Sequence, residues 1–216
     1  MALSKVDYNS LNVTAAASKA LKWNSGADGF ETGDIAGAMV LLETQTASSD
    51  STIDFTSNID STYNHYIFKF INIHPSAEGN AVDFKFQVDT GTNTSYNQTM
   101  TTTLFRAYHT EADDAAAVDY DSGRDQAQGT GFQIISNEIG IGNDENLSGE
   151  LHLFNPSSTT FVKHFYTTTN NYQLGDMSLN HFLAGYINTT TAITRVQFKQ
   201  TSGNIDAGTI KMYGVT

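Results

Sequence analysis

The sequence predicts an all-β protein: a jelly-roll-like antiparallel β-sandwich preceded by a short N-terminal arm. Three observations predict it. From Ala38 onward, short runs of β-branched and aromatic residues recur at close spacing, separated by clusters of Gly, Asn, Asp and Ser that mark turns. No segment of helical period lies between those runs, which argues against a parallel α/β sheet. The densest run, residues 63–73, is apolar enough on both of its faces to be a central strand with packing on each side.

Each element can be justified in order. Residues 1–35 read as an arm. Ala15-Ala16-Ala17-Ser18-Lys19-Ala20-Leu21-Lys22 suits two helical turns capped by Thr14, too short to persist in water without a surface to dock on. A turn-rich piece from Trp23 to Asp34 follows and holds the only Trp. The arm cannot bury a core of its own, yet Leu3, Val6, Leu11, Val13, Leu21, Trp23 and Phe30 are costly to leave in water. Of these, Leu3, Val6, Leu11, Val13, Leu21 and Trp23 are the candidate attachment residues, set against the alternative of a loose leader.

The rest, 36–216, reads as one domain. Candidate strands are 39–43, 52–55, 63–73, 82–88, 96–109, 132–135, 149–154, 160–166, 181–188, 193–200 and 209–213. In 82–88, Val82, Phe84, Phe86 and Val88 alternate cleanly inward. In 63–73 the faces are Tyr63, His65, Ile67, Lys69, Ile71, Ile73 and Asn64, Tyr66, Phe68, Phe70, Asn72, and Lys69 has to reach an edge or a partner. The acidic, Ala-rich stretch 111–128 suits a surface loop carrying a short helix.

Composition excludes several functions. The net charge is −12, from 11 Lys and Arg against 23 Asp and Glu. The cations are scattered, which argues against a nucleic-acid partner. The absence of cysteine rules out disulfides and thiolate zinc sites. No apolar run approaches the ~18 residues of a membrane span, and the opening residues lack the apolar segment of a signal peptide.

Chemical constellations are weak. The six histidines, His65, His74, His109, His152, His164 and His181, form no H-x-H or H-E-x-x-H pair, although His152 and His164 could meet across adjacent strands. Asp113, Asp114, Asp119, Asp121 and Asp125 crowd one stretch. The run D-Y-D-S-G-R-D departs from an EF-hand, with Gly123 and Arg124 where an Asn or Asp and then a Gly belong, so either an irregular calcium loop or a solvated acidic loop fits. The acidic turn 142–146 has the same two readings. Nucleophile-elbow and phosphate-loop motifs are absent, and carboxylates suitable for glycoside hydrolysis are too common in this chain to point anywhere. The expectation is a non-enzymatic protein without a cofactor. Tyr96, Tyr108, Tyr120, Tyr166, Tyr172 and Tyr186 could stack on sugar rings. Most should be core residues, leaving Tyr120 and Tyr172, placed in loops, as the glycan-facing candidates. Sequons at Asn12, Asn93, Asn97, Asn146 and Asn188 carry little weight in so Thr- and Asn-rich a chain.

Four segments resemble structural proteins of marine tailed bacteriophages. They are A-L-S-K-V-D-Y-N-S-L-N-V-T (2–14), F-T-S-N-I-D-S-T-Y-N-H-Y-I-F-K-F (55–70), H-L-F-N-P-S-S-T-T-F-V-K-H-F (152–165) and I-T-R-V-Q-F-K-Q-T-S-G-N-I-D-A-G-T-I-K-M-Y-G-V (193–215). The last is similar to the closing strands of fibre-like and decoration-like modules. The resemblance implies a virion location, an oligomer (expected here as a homotrimer), and a jelly-roll-like module on the capsid, baseplate or tail fibre. The partners it implies are copies of the chain and other virion proteins. It supplies no catalytic residues. A carbohydrate-binding module for host surface glycans is the alternative.

Overall fold

The structure, a computed structural model, describes residues 19–33, 39–77, 79 and 82–215. These fall into two compact units divided after Met39. The first holds a two-stranded antiparallel hairpin, β1 (Ala20–Trp23) and β2 (Phe30–Gly33). Its turn is local chemistry: Asn24 Oδ1 accepts from the Asp28 amide at 3.2 Å, and Ala27 takes a left-handed φ of 55°. Across the strands Trp23 stacks on Phe30 with centroids 4.4 Å apart, and Lys22 faces Glu31 at 3.4 Å. The helix expected over 15–22 is thereby corrected where it is described. Ala20, Leu21 and Lys22 are strand, because the cross-strand pairs outweigh a helix too short to sustain itself. Residues 15–18 lie outside the described residues, as do Leu3, Val6, Leu11 and Val13.

The second unit is an antiparallel β-sandwich. Its strands are β3 (Met39–Thr46), β4 (Ile53–Phe55), β5 (His65–Pro75), β6 (Phe84–Thr90), β7 (Met100–Thr110) and β8 (Ala116–Tyr120). There follow β9 (Gln133–Ser136), β10 (Leu147–Phe154), β11 (Lys163–Gln173), β12 (Met177–Ile187), β13 (Ile193–Gln200) and β14 (Ile205–Val215). One sheet has eight strands in the order β3-β14-β5-β10-β11-β12-β7-β8, and the other has four, β4-β13-β6-β9. Each of the eleven expected runs overlaps one of these strands.

Alternation builds the core. Tyr66, Phe68 and Phe70 of β5, Leu151 and Leu153 of β10, and Ile210 and Met212 of β14 face Phe55, Phe84, Phe86, Val88, Val196 and Phe198 of the small sheet. Phe198 is the hub, with ring centroids 5.3–6.4 Å from Phe55, Phe68, Phe70, Phe84 and Phe86. Lys163 is also fully buried, its Nζ donating to the Thr189 and Thr191 carbonyls at 3.0 and 2.7 Å.

Three expectations change. The central strand packs against the core on one face only: on the other, Ile67 is covered by its neighbours while Ile71 is 41 % exposed. Its alternation also breaks at Asn72, whose φ of 51° marks a bulge opposite Gly208 (φ 115°), so that Ile73 turns inward after Phe70. A Cβ on Gly208 would lie 2.6 Å from the Asn72 carbonyl oxygen. Lys69, as expected, reaches a partner: Glu150, 3.7 Å away on β10. Finally, 111–128 contains no helix; Ala116–Tyr120 is strand β8, which pairs with the edge of β7 that would otherwise stand open.

Phe198→Ala should lower the unfolding free energy by about 3–5 kcal/mol, since five surrounding rings cannot collapse into the space it leaves. Urea denaturation checks this: the midpoint should fall with little change in slope.

Candidate functional site

The outer face of the eight-stranded sheet is where side chains of unusual chemistry gather. Its burial pattern is set by alternation along β11, β12 and β7, whose registers align residue for residue. From β11 the outward positions are His164, Tyr166, Thr168, Asn170 and Tyr172. From β12 they are Ser178, Asn180, Phe182, Ala184 and Tyr186, and from β7 Thr101, Thr103, Phe105, Ala107 and His109. These five outward positions on each of three strands include no Asp, Glu, Lys or Arg, in a chain with 34 such residues (23 acidic plus 11 basic).

A ridge of stacked rings borders this strip. Tyr166 lies on His152 at 4.4 Å, His152 on His65 at 5.0 Å, and His65 on Phe154 at 4.6 Å, with planes within 29° of parallel. The imidazoles are linked: His65 Nε2 is 2.8 Å from His152 Nδ1, and Glu150 Oε1 is 3.0 Å from His152 Nε2 without the alignment of a straight hydrogen bond. Burial, then the neighbouring His152, holds His65 below the usual imidazole range, while the contact with His152 holds Glu150 below the usual carboxylate range. A neutral His65 stacks as an ordinary aromatic ring, and the Glu150 carboxylate lies at the edge of the ridge against His152.

Two hollows flank Tyr166. One, of about 370 Å³, is bounded by Phe154, His164, Tyr186 and Thr101; the other, of about 200 Å³, by Phe105, Phe182 and Thr168. Thr103 and Ala184 border both. Register explains the opening: Ala184, a small exposed residue, sits directly between Tyr166 and Thr103. Beyond it Phe105 and Phe182 stack at 4.9 Å.

The inner face of the same strands is closed by polar bonds. Thr169 Oγ1 donates to the Ile135 carbonyl at 2.7 Å, Asn171 Nδ2 to the Asn137 carbonyl at 3.1 Å and Gln173 Nε2 to Glu138 at 2.8 Å. Arg124 bridges Asp121 (2.9 Å) and Glu138 (3.1 Å), and Arg106 lies 3.7 Å from Asp121. His181, fully buried here, shares its Nε2 with Asn137 Oδ1. Burial, reinforced by Arg106 and Arg124, pushes its pKa down to about 3.

The sequence candidates divide accordingly. Tyr120 closes β8 on the outer face opposite Phe105, 57 % exposed, its hydroxyl donating to Asp125 at 2.5 Å. Tyr172 is not in a loop but on β11, half-buried, with its phenol pushed up to about 12 by desolvation and then by Glu111 and Asp176. The two lie three strands and four residue rows apart, so they do not share a site. Leu21 and Trp23 are exposed on β1, at 47 % and 61 %. Tyr96 is a buried brace whose hydroxyl donates to Asp54 at 2.9 Å, and Tyr108 is half-buried on the inner face. His152 and His164 stand on one strand pair but not in register, since His152 faces Tyr166. Among the described residues no three His, Asp or Glu converge as metal ligands. In 111–128, Asp113 faces His109, Asp114 faces Thr110, Asp121 faces the two arginines and Asp125 faces Tyr120. In the turn 142–146, Glu145 folds back to accept from the Gly142 amide.

Phe105, Phe182 and Ala184 were missed as site residues. Their signal is split between two strands: Phe105 is on an outward position of β7, and Phe182 and Ala184 are on outward positions of β12, which only the pairing of the strands brings together.

Fold and face together define a β-sandwich with an uncharged, aromatic-bordered sheet surface. Compared with family models, curated proteins and solved structures, the chain matches none.

His181 makes stability depend on pH. The unfolded chain binds its proton below about 6.5 while the folded one does so only near 3. Stability is therefore fully present above about 6.5 and is lost as pH falls through that window, by about 1.4 kcal/mol per pH unit. Urea unfolding at pH 7.5 and 5.0 should differ by about 2 kcal/mol, and His181→Asn should flatten the profile.

Proposed function

We propose that the protein is a non-enzymatic structural component of a tailed-phage particle, joined to it by its N-terminal segment and displaying the sandwich outward as a homotrimer. The observation that carries this reading is the hairpin of the first unit. It leaves Leu21, Trp23 and Phe30 exposed at 47, 61 and 40 % on a unit divided from the sandwich core. Two strands cannot bury these side chains by themselves, and docking would stabilise attachment by roughly 1.5–3 kcal/mol for each large side chain covered, before ordering costs. The four segments that resemble phage structural proteins support the same reading, and its partners are then copies of the chain and other virion proteins.

Full-length protein carrying Trp23→Ser and Phe30→Ser should fold with unchanged circular dichroism but fail to enter particles in a complementation assay. Normal incorporation would sink the attachment role. Light scattering on the same variant tests the trimer: a mass unchanged from wild type at three chains places self-association in the sandwich, and a monomeric wild type removes the trimer from the reading.

A further inference from the structure

We infer that the strip between the Tyr166 ridge and the Phe105–Phe182 pair is a binding site for a neutral glycan chain. The first argument is shape. The hollows of about 370 and 200 Å³ adjoin across Ala184, forming one trough along β12. From Phe182 to Tyr186 it runs about 13 Å at the rise of a strand, an elongated floor suited to consecutive sugar rings. It lies on a sheet rather than on loops, so its walls are held in place before any ligand arrives.

The second argument is chemistry. One face of Tyr166 is taken by His152 at 4.4 Å, while its other side borders both hollows and the residue is 40 % exposed. A pyranose presents a face of C–H bonds that packs on such a ring, and its rim of hydroxyls needs donors and acceptors that carry no charge. Thr101, Thr103 and Thr168 supply hydroxyls between the rings. A purely apolar partner would bury the Thr168 hydroxyl unpaired, and would leave Thr101 and Thr103, which already meet Gln128 and the Ala184 carbonyl, with nothing for their remaining hydrogen-bonding capacity.

Charge selects the class of occupant. The strip has no permanent charge, whereas the chain carries −12 overall. An anionic polysaccharide would find no cation in the trough and would be repelled by the rest of the surface. A neutral oligosaccharide meets neither cost.

The inference does not rest on the particle reading, because a chain that never joins a particle would still bind through this face. The test uses the full-length protein on an array of neutral gluco-, manno- and galacto-oligosaccharides beside alginate and sulfated glycans, followed by calorimetry on any hit. The expected result is saturable binding of a neutral oligosaccharide, weakened at least tenfold by Tyr166→Ala. Ala184→Trp, which fills the trough from an exposed position, should do the same with thermal unfolding unchanged. Selective binding of anionic glycans, no neutral ligand at millimolar concentration, or a hit indifferent to Ala184→Trp would each overturn the proposal. So would a fall in native mass on Ala184→Trp, which would make this face a contact between copies of the chain.

Discussion

The structure depends on one constraint: a four-stranded sheet has to cover the inner face of an eight-stranded one. The cover is apolar where the two sheets meet squarely. There Phe198 lies among five other phenylalanine rings contributed by both sheets, and this cluster sets the spacing between the layers. Toward β12 and β7 the cover narrows to β9, the edge strand of the small sheet, and the segment that follows it. The inner side chains change with it, from Phe and Leu to Thr169, Asn171, Gln173 and His181. Each loses water on folding, so carbonyls and side chains of 135–138 have to replace it.

That division of labour leaves the outer face free to carry other chemistry. Because β11, β12 and β7 are anchored from beneath by specific bonds, their outward residues are not needed for burial. Aromatic rings, hydroxyls and a single small residue can stand there in fixed register. At the ridge, burial and then the closeness of His152 disfavour a charge on His65, while Glu150 stays ionised at the ridge's edge beside Lys69.

Much of the fold was legible in the sequence. The run at 82–88 alternates with apolar residues inward, as do Val196 and Phe198 in 193–200, where a register shift after Ile193 turns that residue inward as well; both runs fall on strands of the small sheet. The long hairpin of β11 and β12 was legible only at its ends. Its middle, Thr167-Thr168-Thr169-Asn170-Asn171, has polar residues on both faces, so alternation carries no signal and the composition reads as loop. Strand β8 failed for a related reason. Ala116, Ala117 and Asp119 have little strand character of their own, and the open edge of β7 recruits them.

The candidate face was less legible still, for a geometric reason. Tyr166, Ala184, Phe105 and Phe182 come from three strands, and what joins them is the cross-strand register, a property of pairing rather than of any one segment. By itself the sequence determined an all-β chain, most of its strands and the inward positions of the apolar ones, because those follow from local alternation and turn chemistry. Only the tertiary structure decided which side of the central strand meets the core, where the bulge at Asn72 turns Ile73 inward, and which small residue stands beside Tyr166. Those outcomes depend on partners distant in the chain, so no window of sequence contains them.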